Sequence, residues 1–201
     1  MNMVYLICVA GSTGSGKSTL VYGLQERFPE LIEVIYFTDY QKPIEQVPVY
    51  HGMKNWDCPE AIDFNKLFLD LKLLKKGKDI KIMTKNEKYN PSYSKNWKRV
   101  THTVRAKKII FIEGYMSLSN RRVRELYDLS IFLDLSREER MNRRRTKKQS
   151  QEYIDKILLP MQERYVEPTK ELADVVIDTS EHSAEGVQEN VLALFRMKRF
   201  L

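Results

Sequence analysis

The sequence predicts an α/β fold in which a five-stranded, mostly parallel sheet is flanked by helices. Five short apolar runs, each long enough for a buried strand, recur along the 201 residues. Helical patterns separate most of these runs, and strands that are apolar on both faces are typical of a parallel sheet covered by helices. The predicted strands are residues 4–10, 32–37, 109–112, 129–133 and 175–177.

Apolar residues at helical spacing predict the helices between these strands. They cover residues 17–27, 59–76, 120–127, 137–147, 151–165 and 184–197. Residues 81–105 depart from this alternation, because they are polar, contain Pro91 and alternate over 101–105. We interpret them as a hairpin-like excursion over a substrate site, with a loop that has no function as the alternative. The whole chain, residues 1–201, is predicted to form one domain.

Composition excludes several classes of protein. No run of 18 apolar residues is present, and the first apolar run leads directly into a glycine-rich segment. We therefore expect a soluble, cytoplasmic protein that has no signal peptide and does not contact membranes. Cys8 and Cys58 have neither metal-ligand nor disulfide spacing. The net charge of +7 suits a polyanionic ligand but also an ordinary solvated surface.

Residues 11–19, GSTGSGKST, match the phosphate-binding pattern G-x-x-x-x-G-K-[ST] between a predicted strand and a predicted helix. This setting predicts a P-loop NTPase fold. Glycines allow successive backbone N–H groups to converge on phosphate oxygens at the start of a helix. We therefore predict that ATP is bound by Gly11, Ser12, Thr13, Gly14, Ser15, Gly16, Lys17, Ser18 and Thr19.

Within this loop, Lys17 is expected to reach the β- and γ-phosphates and to act in catalysis, and Thr19 to contact the α-phosphate. The hydroxyl of Ser18 is a predicted ligand of Mg²⁺. Glu113 closes the third apolar strand in IIFIEG, where an acid would hold the metal ion or a water bound to it.

Phosphoryl transfer to a hydroxyl also requires a carboxylate that orients and deprotonates the acceptor. Asp39 closes the second strand in TDYQK, and ligands of open α/β sheets bind beyond the carboxyl ends of strands. We predict that Asp39 is this base. An Asp at a strand end is also a common turn former, so this alternative stays open.

Six segments follow, in order, the pattern of the uridine/cytidine kinases: GSTGSGKST, NWDCPEAID, IIFIEG, DLSIFLD, the arginine-rich stretch and EPTKELADVVID. The resemblance covers most of the chain. It implies ATP-dependent phosphorylation of the 5′-hydroxyl of a uridine- or cytidine-like nucleoside, with Asp39 as the base and Asp57 binding ribose hydroxyls. The family reads Asp, any residue, aromatic, Tyr, whereas this chain reads Asp39-Tyr40-Gln41, so the spacing differs. The segment that begins at Asp57 could instead cap the next helix.

The resemblance is weaker at the nucleobase end. Pro91-Ser92-Tyr93 is similar to the family's Pro-x-Tyr, but residues 95–98, KNWK, replace the aromatic residue and the histidine that contact the pyrimidine. Tyr93 or Trp97 would stack on a planar base.

The segment from 137 to 148 is rich in basic residues, and at helical spacing Arg140, Arg144 and Lys147 or Lys148 share one face. The resemblance implies a lid at about 137–160 in which Arg144 and Lys147 grip ATP and Arg144 also contacts the substrate. The family's Glu-Arg-Gly-Arg segment is missing, so we expect a shortened lid. An ordinary solvated face is the alternative.

Two further substrate and function classes stay open. Residues 143–146, RRRT, together with Pro160-Met161, also resemble nicotinamide riboside kinases. A P-loop switch that binds a protein partner is the competing class, whereas a nucleic-acid partner is not expected. A homo-oligomer is left open, because the apolar stripe near the C-terminus is more often core than interface.

Overall fold

The computed structural model describes residues 3–144 and 149–201, apart from the side chain of Arg144. The strands in these residues are β1 (Tyr5–Ala10), β2 (Ile32–Tyr36), β3 (Val49–Tyr50), β4 (Met53–Lys54), β5 (Ile80–Thr84), β6 (Val100–Val104), β7 (Ile109–Glu113), β8 (Leu129–Asp134) and β9 (Val175–Asp178). The helices are α1 (Lys17–Arg27), α2 (Phe64–Lys75), α3 (Tyr93–Asn96), α4 (Arg121–Arg124), α5 (Arg137–Arg144), α6 (Gln151–Tyr153), α7 (Leu159–Tyr165) and α8 (Ala184–Met197). None of these helices is long and apolar enough to cross a membrane.

The central sheet has the strand order β2-β7-β1-β8-β9, and every neighbouring pair is parallel. This confirms the predicted five-stranded α/β fold. All but the first residue of β1 are buried, because helices cover both faces of the sheet. Leu6 and Cys8 pack toward α2 on one face, whereas Ile7 and Val9 pack toward α1 and α8 on the other. The core therefore consists of two layers separated by the sheet.

The structure changes two predicted helix boundaries. The helix predicted to begin at residue 59 begins at Phe64, because residues before it form a 3₁₀ turn, Pro59–Ala61, and Ile62 is extended. The Oδ1 of Asp63 accepts a hydrogen bond of 2.9 Å from the backbone N–H of Lys66 and caps α2. The helix predicted over 120–127 shortens to α4, which Asn120 caps.

The predicted excursion at 81–105 is a hairpin, formed by antiparallel pairing of β5 with β6. Its polar connection packs against α1 and the edge strand β2. The Tyr89 ring stacks on His102 at 4.0 Å between ring centres, and Gln25 of α1 donates a 3.1 Å hydrogen bond to the Tyr89 hydroxyl. A second small hairpin, β3 with β4, was not predicted.

The predicted lid falls on α5, α6 and α7. The helix predicted over 151–165 is interrupted by a π-helical turn, Ile154–Leu158, which lies just before Pro160. Proline lacks the N–H that an α-helix uses, so the backbone hydrogen bonds rearrange here. Residues 145–148, including the predicted ligand Lys147, lie outside the described residues.

Candidate active site

A cleft of about 1520 Å³ opens at the carboxyl ends of β1, β2 and β7, where ligands bind in open α/β sheets. One end is lined by the glycine-rich loop from Thr13 to Thr19. The other end is lined by residues from four separate segments, among them Thr38, Gln41, Trp56, Asp57, Lys85, Tyr93, Trp97, Arg99 and Tyr115. We call these the nucleotide end and the acceptor wall.

The conformation of the glycine-rich loop depends on its glycines. Gly14 has φ +83° and Gly16 has φ +94°, both in the left-handed region that side chains disfavour. A Cβ on Gly14 would lie 2.6 Å from the backbone oxygen of Arg140 in α5. The loop therefore passes close to the first turn of α5 in the predicted lid, and it leads directly into the N-terminus of α1, a favourable place for a phosphate.

Lys17 is nearly buried, and its Nζ donates a 2.8 Å hydrogen bond to the backbone oxygen of Ser12. The hydroxyl of Ser12 donates a 2.5 Å hydrogen bond to Oε1 of Glu167, which also lies 3.0 Å from Nη2 of Arg140. Arg140 is 7% exposed and donates a further 3.1 Å hydrogen bond to Gln162. This buried network connects the glycine-rich loop with α5 and α7.

The two predicted metal ligands lie side by side. The hydroxyl of Ser18 donates a 3.4 Å hydrogen bond to Oε1 of Glu113, the last residue of β7. Both are hard oxygen donors. Among the described residues no group of three or more His, Cys, Asp and Glu side chains could hold a metal. This donor set fits Mg²⁺, which takes most of its ligands from phosphates and water.

The predicted base Asp39 lies in a 3₁₀ turn, Phe37–Tyr40, directly after β2. It is 7% exposed, and its Oδ1 accepts a 2.9 Å hydrogen bond from the backbone N–H of Lys85. Burial raises the pKa of this carboxyl above its usual value, with hydrogen bonds from Lys85 and Thr84 acting in the opposite direction. Thr38 and Gln41, its neighbours in the turn, line the cleft, and the Asp39 carboxyl is buried against the β5–β6 hairpin.

Asp57 does line the cleft, and it is only 8% exposed. Its Oδ2 accepts a 2.6 Å hydrogen bond from the hydroxyl of Tyr153, the last residue of α6. The same hydroxyl accepts a 3.3 Å hydrogen bond from the backbone N–H of Trp56. The carboxylate is thus oriented by the lid region. Because Asp63 caps α2, the alternative that the segment at Asp57 caps that helix is wrong.

Two further groups shape the acceptor wall. The Tyr115 hydroxyl donates to the backbone oxygen of Trp56 at 2.8 Å and accepts from Gln41 at 3.2 Å. The guanidinium of Arg99 donates to the backbone oxygens of Asp39 and Gln41, both at 3.0 Å. These hydrogen bonds hold the turn after β2 against the β5–β6 hairpin and against the loop that carries Asp57.

Tyr93 and Trp97, predicted to contact a base, both line the cleft. They belong to α3 and its C-terminal cap, and their rings meet edge to face at 5.5 Å. Trp97 has φ +57° and is 74% exposed. Large exposed aromatic rings at the mouth of a cleft are suited to stacking on a planar group.

The cationic residues of the lid are only partly described. The side chain of Arg144 and all of Lys147 lie outside the described residues. Arg143 lines the cleft and donates a 3.3 Å hydrogen bond to the backbone oxygen of Thr179. It also lines a smaller cavity of about 180 Å³ beside the glycine-rich loop, together with Thr19 and His182.

Sequence reasoning missed several residues of this site. Lys85, Arg99 and Tyr115 line the acceptor wall, and Tyr153 and Glu167 act on other site residues. Tyr115 lies two positions after Glu113, so its place just after a strand end could have marked it as a site residue. The others come from distant segments, and no local pattern marks them.

The fold and this cleft define the class of P-loop kinases. Within that class, the chain belongs to the phosphoribulokinase/uridine kinase family, whose family model matches residues 6–185.

Two curated relatives agree with this assignment, and one solved structure shares the fold. A uridine kinase from Clostridium botulinum (strain 657 / Type Ba4) is 32% identical over 201 residues, covering 93% of this chain and 94% of the relative. A uridine kinase from Chlamydia pneumoniae is 29% identical over 187 residues, covering 88% and 82%. A solved structure of a possible uridine kinase from Bacillus stearothermophilus aligns with a TM-score of 0.62 at 19% identity, covering 89% of this chain and 90% of that one.

Proposed function

We propose that this protein is an ATP-dependent nucleoside kinase that phosphorylates the 5′-hydroxyl of a uridine- or cytidine-like nucleoside and uses Mg²⁺. The observation that carries the proposal is that one cleft holds both the glycine-rich loop and Asp57. A phosphate donor bound at the glycine-rich loop and a sugar bound at Asp57 would therefore lie in the same cleft, at the same edge of the sheet. The family and the curated relatives support the same reaction.

On the nucleotide side, the backbone N–H groups of the glycine-rich loop bind the phosphates at the start of α1. The ammonium of Lys17, which Ser12 now holds, reaches the β- and γ-phosphates. Ser18 and Glu113 would hold Mg²⁺, directly or through water. The ion would supply positive charge against the negative charge that develops during phosphoryl transfer. Arg144 and Lys147 add positive charge from the lid, and Arg144 also contacts the acceptor.

On the acceptor side, Asp57 accepts hydrogen bonds from ribose hydroxyls, because a carboxylate is a pure acceptor that pairs well with two O–H donors. Tyr93 and Trp97 stack on the base. Asp39 takes the proton of the reacting hydroxyl. Its raised pKa suits a proton acceptor, and it lies in the same turn as Thr38 and Gln41, which line the cleft.

The decisive experiment is a coupled assay of ADP release with a panel of acceptors: uridine, cytidine, adenosine, nicotinamide riboside and pantothenate. We expect uridine or cytidine to stimulate ADP release most strongly, and the product to carry phosphate at the 5′ position by NMR. Slow ADP release that no acceptor stimulates would instead identify a P-loop switch.

A further inference from the structure

Lys85, at the end of β5, brings a positive charge into the acceptor wall. It lines the cleft, and its ammonium lies 5.9 Å from the centre of the Trp56 ring. Its backbone N–H binds Asp39, which fixes where the side chain leaves the hairpin. The ammonium thus lies beside the ring of Trp56, close to the residue expected to bind the sugar, Asp57.

Within the described residues, the ammonium of Lys85 keeps hydrogen-bonding capacity to spare. Its one hydrogen bond there goes to Oε1 of Gln41. An ammonium has three N–H donors. In residues 3–144 and 149–201 it forms no ion pair within 4.0 Å, although Asp39 and Asp57 are near enough to attract it. The neighbouring cation Arg99, by contrast, donates from both terminal nitrogens to backbone oxygens.

Keeping a cation in this wall costs free energy. Burial lowers the pKa of Lys85 to about 8, with the nearby charge of Arg99 as the second cause. Below that pH the side chain remains mainly charged. A partly buried charge is stabilised when further hydrogen-bond acceptors complete its surroundings. The cleft side of this ammonium is where a ligand atom would supply them.

We propose that Lys85 determines acceptor specificity by donating a hydrogen bond to a carbonyl oxygen of a neutral base and by disfavouring acceptors whose base is a cation. The inference rests on the proposed function and identifies the substrate class of the same site. Uridine and cytidine both carry a base carbonyl and no charge. Nicotinamide riboside carries a positively charged ring, which the ammonium of Lys85 would repel.

The test compares kcat/KM for cytidine with kcat/KM for nicotinamide riboside in the wild type and in Lys85→Met, which keeps the length of the side chain and removes its charge. Loss of a charge-assisted hydrogen bond predicts that the cytidine-to-nicotinamide riboside ratio falls about tenfold or more. Lys81→Met is the matched control, because Lys81 is an exposed lysine on β5, the strand that leads to Lys85. It should leave the ratio unchanged.

A Lys85→Met enzyme that keeps the wild-type ratio would overturn the inference while leaving the kinase assignment intact. If no acceptor stimulates ADP release by the wild type, both proposals fail. An unchanged ratio and an absence of stimulated ADP release therefore point to different proposals as wrong.

A second measurement needs no variant, so it covers the case in which Lys85→Met does not fold. In the wild type, raising the pH from about 7 to about 9 should deprotonate Lys85 and lower the same ratio. The charged groups that face it are Arg99 just before β6, Asp39 in the turn after β2 and Asp57 after β4. Titration of a group that affects both acceptors equally cancels in the ratio. A ratio that is constant across this range would contradict the inference.

Discussion

The nucleotide end and the acceptor wall of the cleft are built in different ways. The nucleotide end comes from one continuous segment, the glycine-rich loop, whose backbone is proposed to bind the phosphates. The acceptor wall takes side chains from the turn after β2, the loop at Asp57, the β5–β6 hairpin and the residues after β7. It is completed by Tyr153 from α6.

The sequence constraints on donor recognition and on acceptor recognition therefore differ. A backbone cradle needs glycines in left-handed conformations, so almost any substitution there disturbs every ligand that has phosphates. In the acceptor wall, Gln41, Arg99 and Asp57 instead act through individual side-chain hydrogen bonds. We therefore expect a substitution there to change acceptor recognition and to leave phosphate binding intact.

The largest expected effect lies at the nucleotide end. Lys17→Met removes the ammonium that reaches the transferred phosphoryl group, so we expect kcat for every acceptor to fall by about 10³-fold or more. Steady-state ADP release measures this. Lys78→Met, at an exposed lysine after α2, should be near wild type. If Lys17→Met lowered kcat for one acceptor only, this result would contradict the conclusion that donor and acceptor are recognised at separate ends of the cleft.

The next largest effect separates the two buried acids, Asp39 and Asp57. If Asp39 is the base, Asp39→Asn should lower kcat by about 10²-fold to 10⁴-fold with little change in acceptor KM. Asp57→Asn should mainly raise acceptor KM, by about tenfold or more, because it weakens binding of the sugar. Both variants should bind ATP as the wild type does. Asp39→Asn with turnover within about tenfold of the wild type would show that another group is the base.

The smallest effect concerns Tyr153, which orients Asp57 through its 2.6 Å hydrogen bond. Tyr153→Phe removes only that hydroxyl, so acceptor KM should rise about threefold to tenfold at nearly constant kcat. Tyr50→Phe, at an exposed tyrosine on β3, is the matched control. Combining Tyr153→Phe with Asp57→Asn should add little to Asp57→Asn alone. Fully additive effects would mean that Tyr153 does not act through Asp57.

Much of the fold was predictable, because it depends on patterns local in sequence. The five apolar runs predicted the five parallel strands, and the helical pattern over 184–197 predicted α8 with the observed boundaries. The early start assigned to α2 was wrong, since the pattern did not reveal that Asp63 is its cap.

The candidate site was most fully predictable at the nucleotide end, where residues 11–19 carry a motif. On the acceptor side Asp57, Tyr93 and Trp97 were also predicted and line the cleft. The burial of Asp39 against the β5–β6 hairpin was not predictable, because it depends on how that hairpin packs on the turn after β2. Lys85 lies 46 residues from Asp39 in sequence, and only the fold brings their hydrogen-bonding atoms together.

The carboxylate of Glu167 accepts from Ser12 in the glycine-rich loop and from Arg140 in α5. A change at any of these three positions removes one partner from a partly buried polar group. We therefore expect the three positions to vary together among relatives. The most recognisable motif of the chain would then be tied, in its evolution, to a glutamate more than 150 residues away.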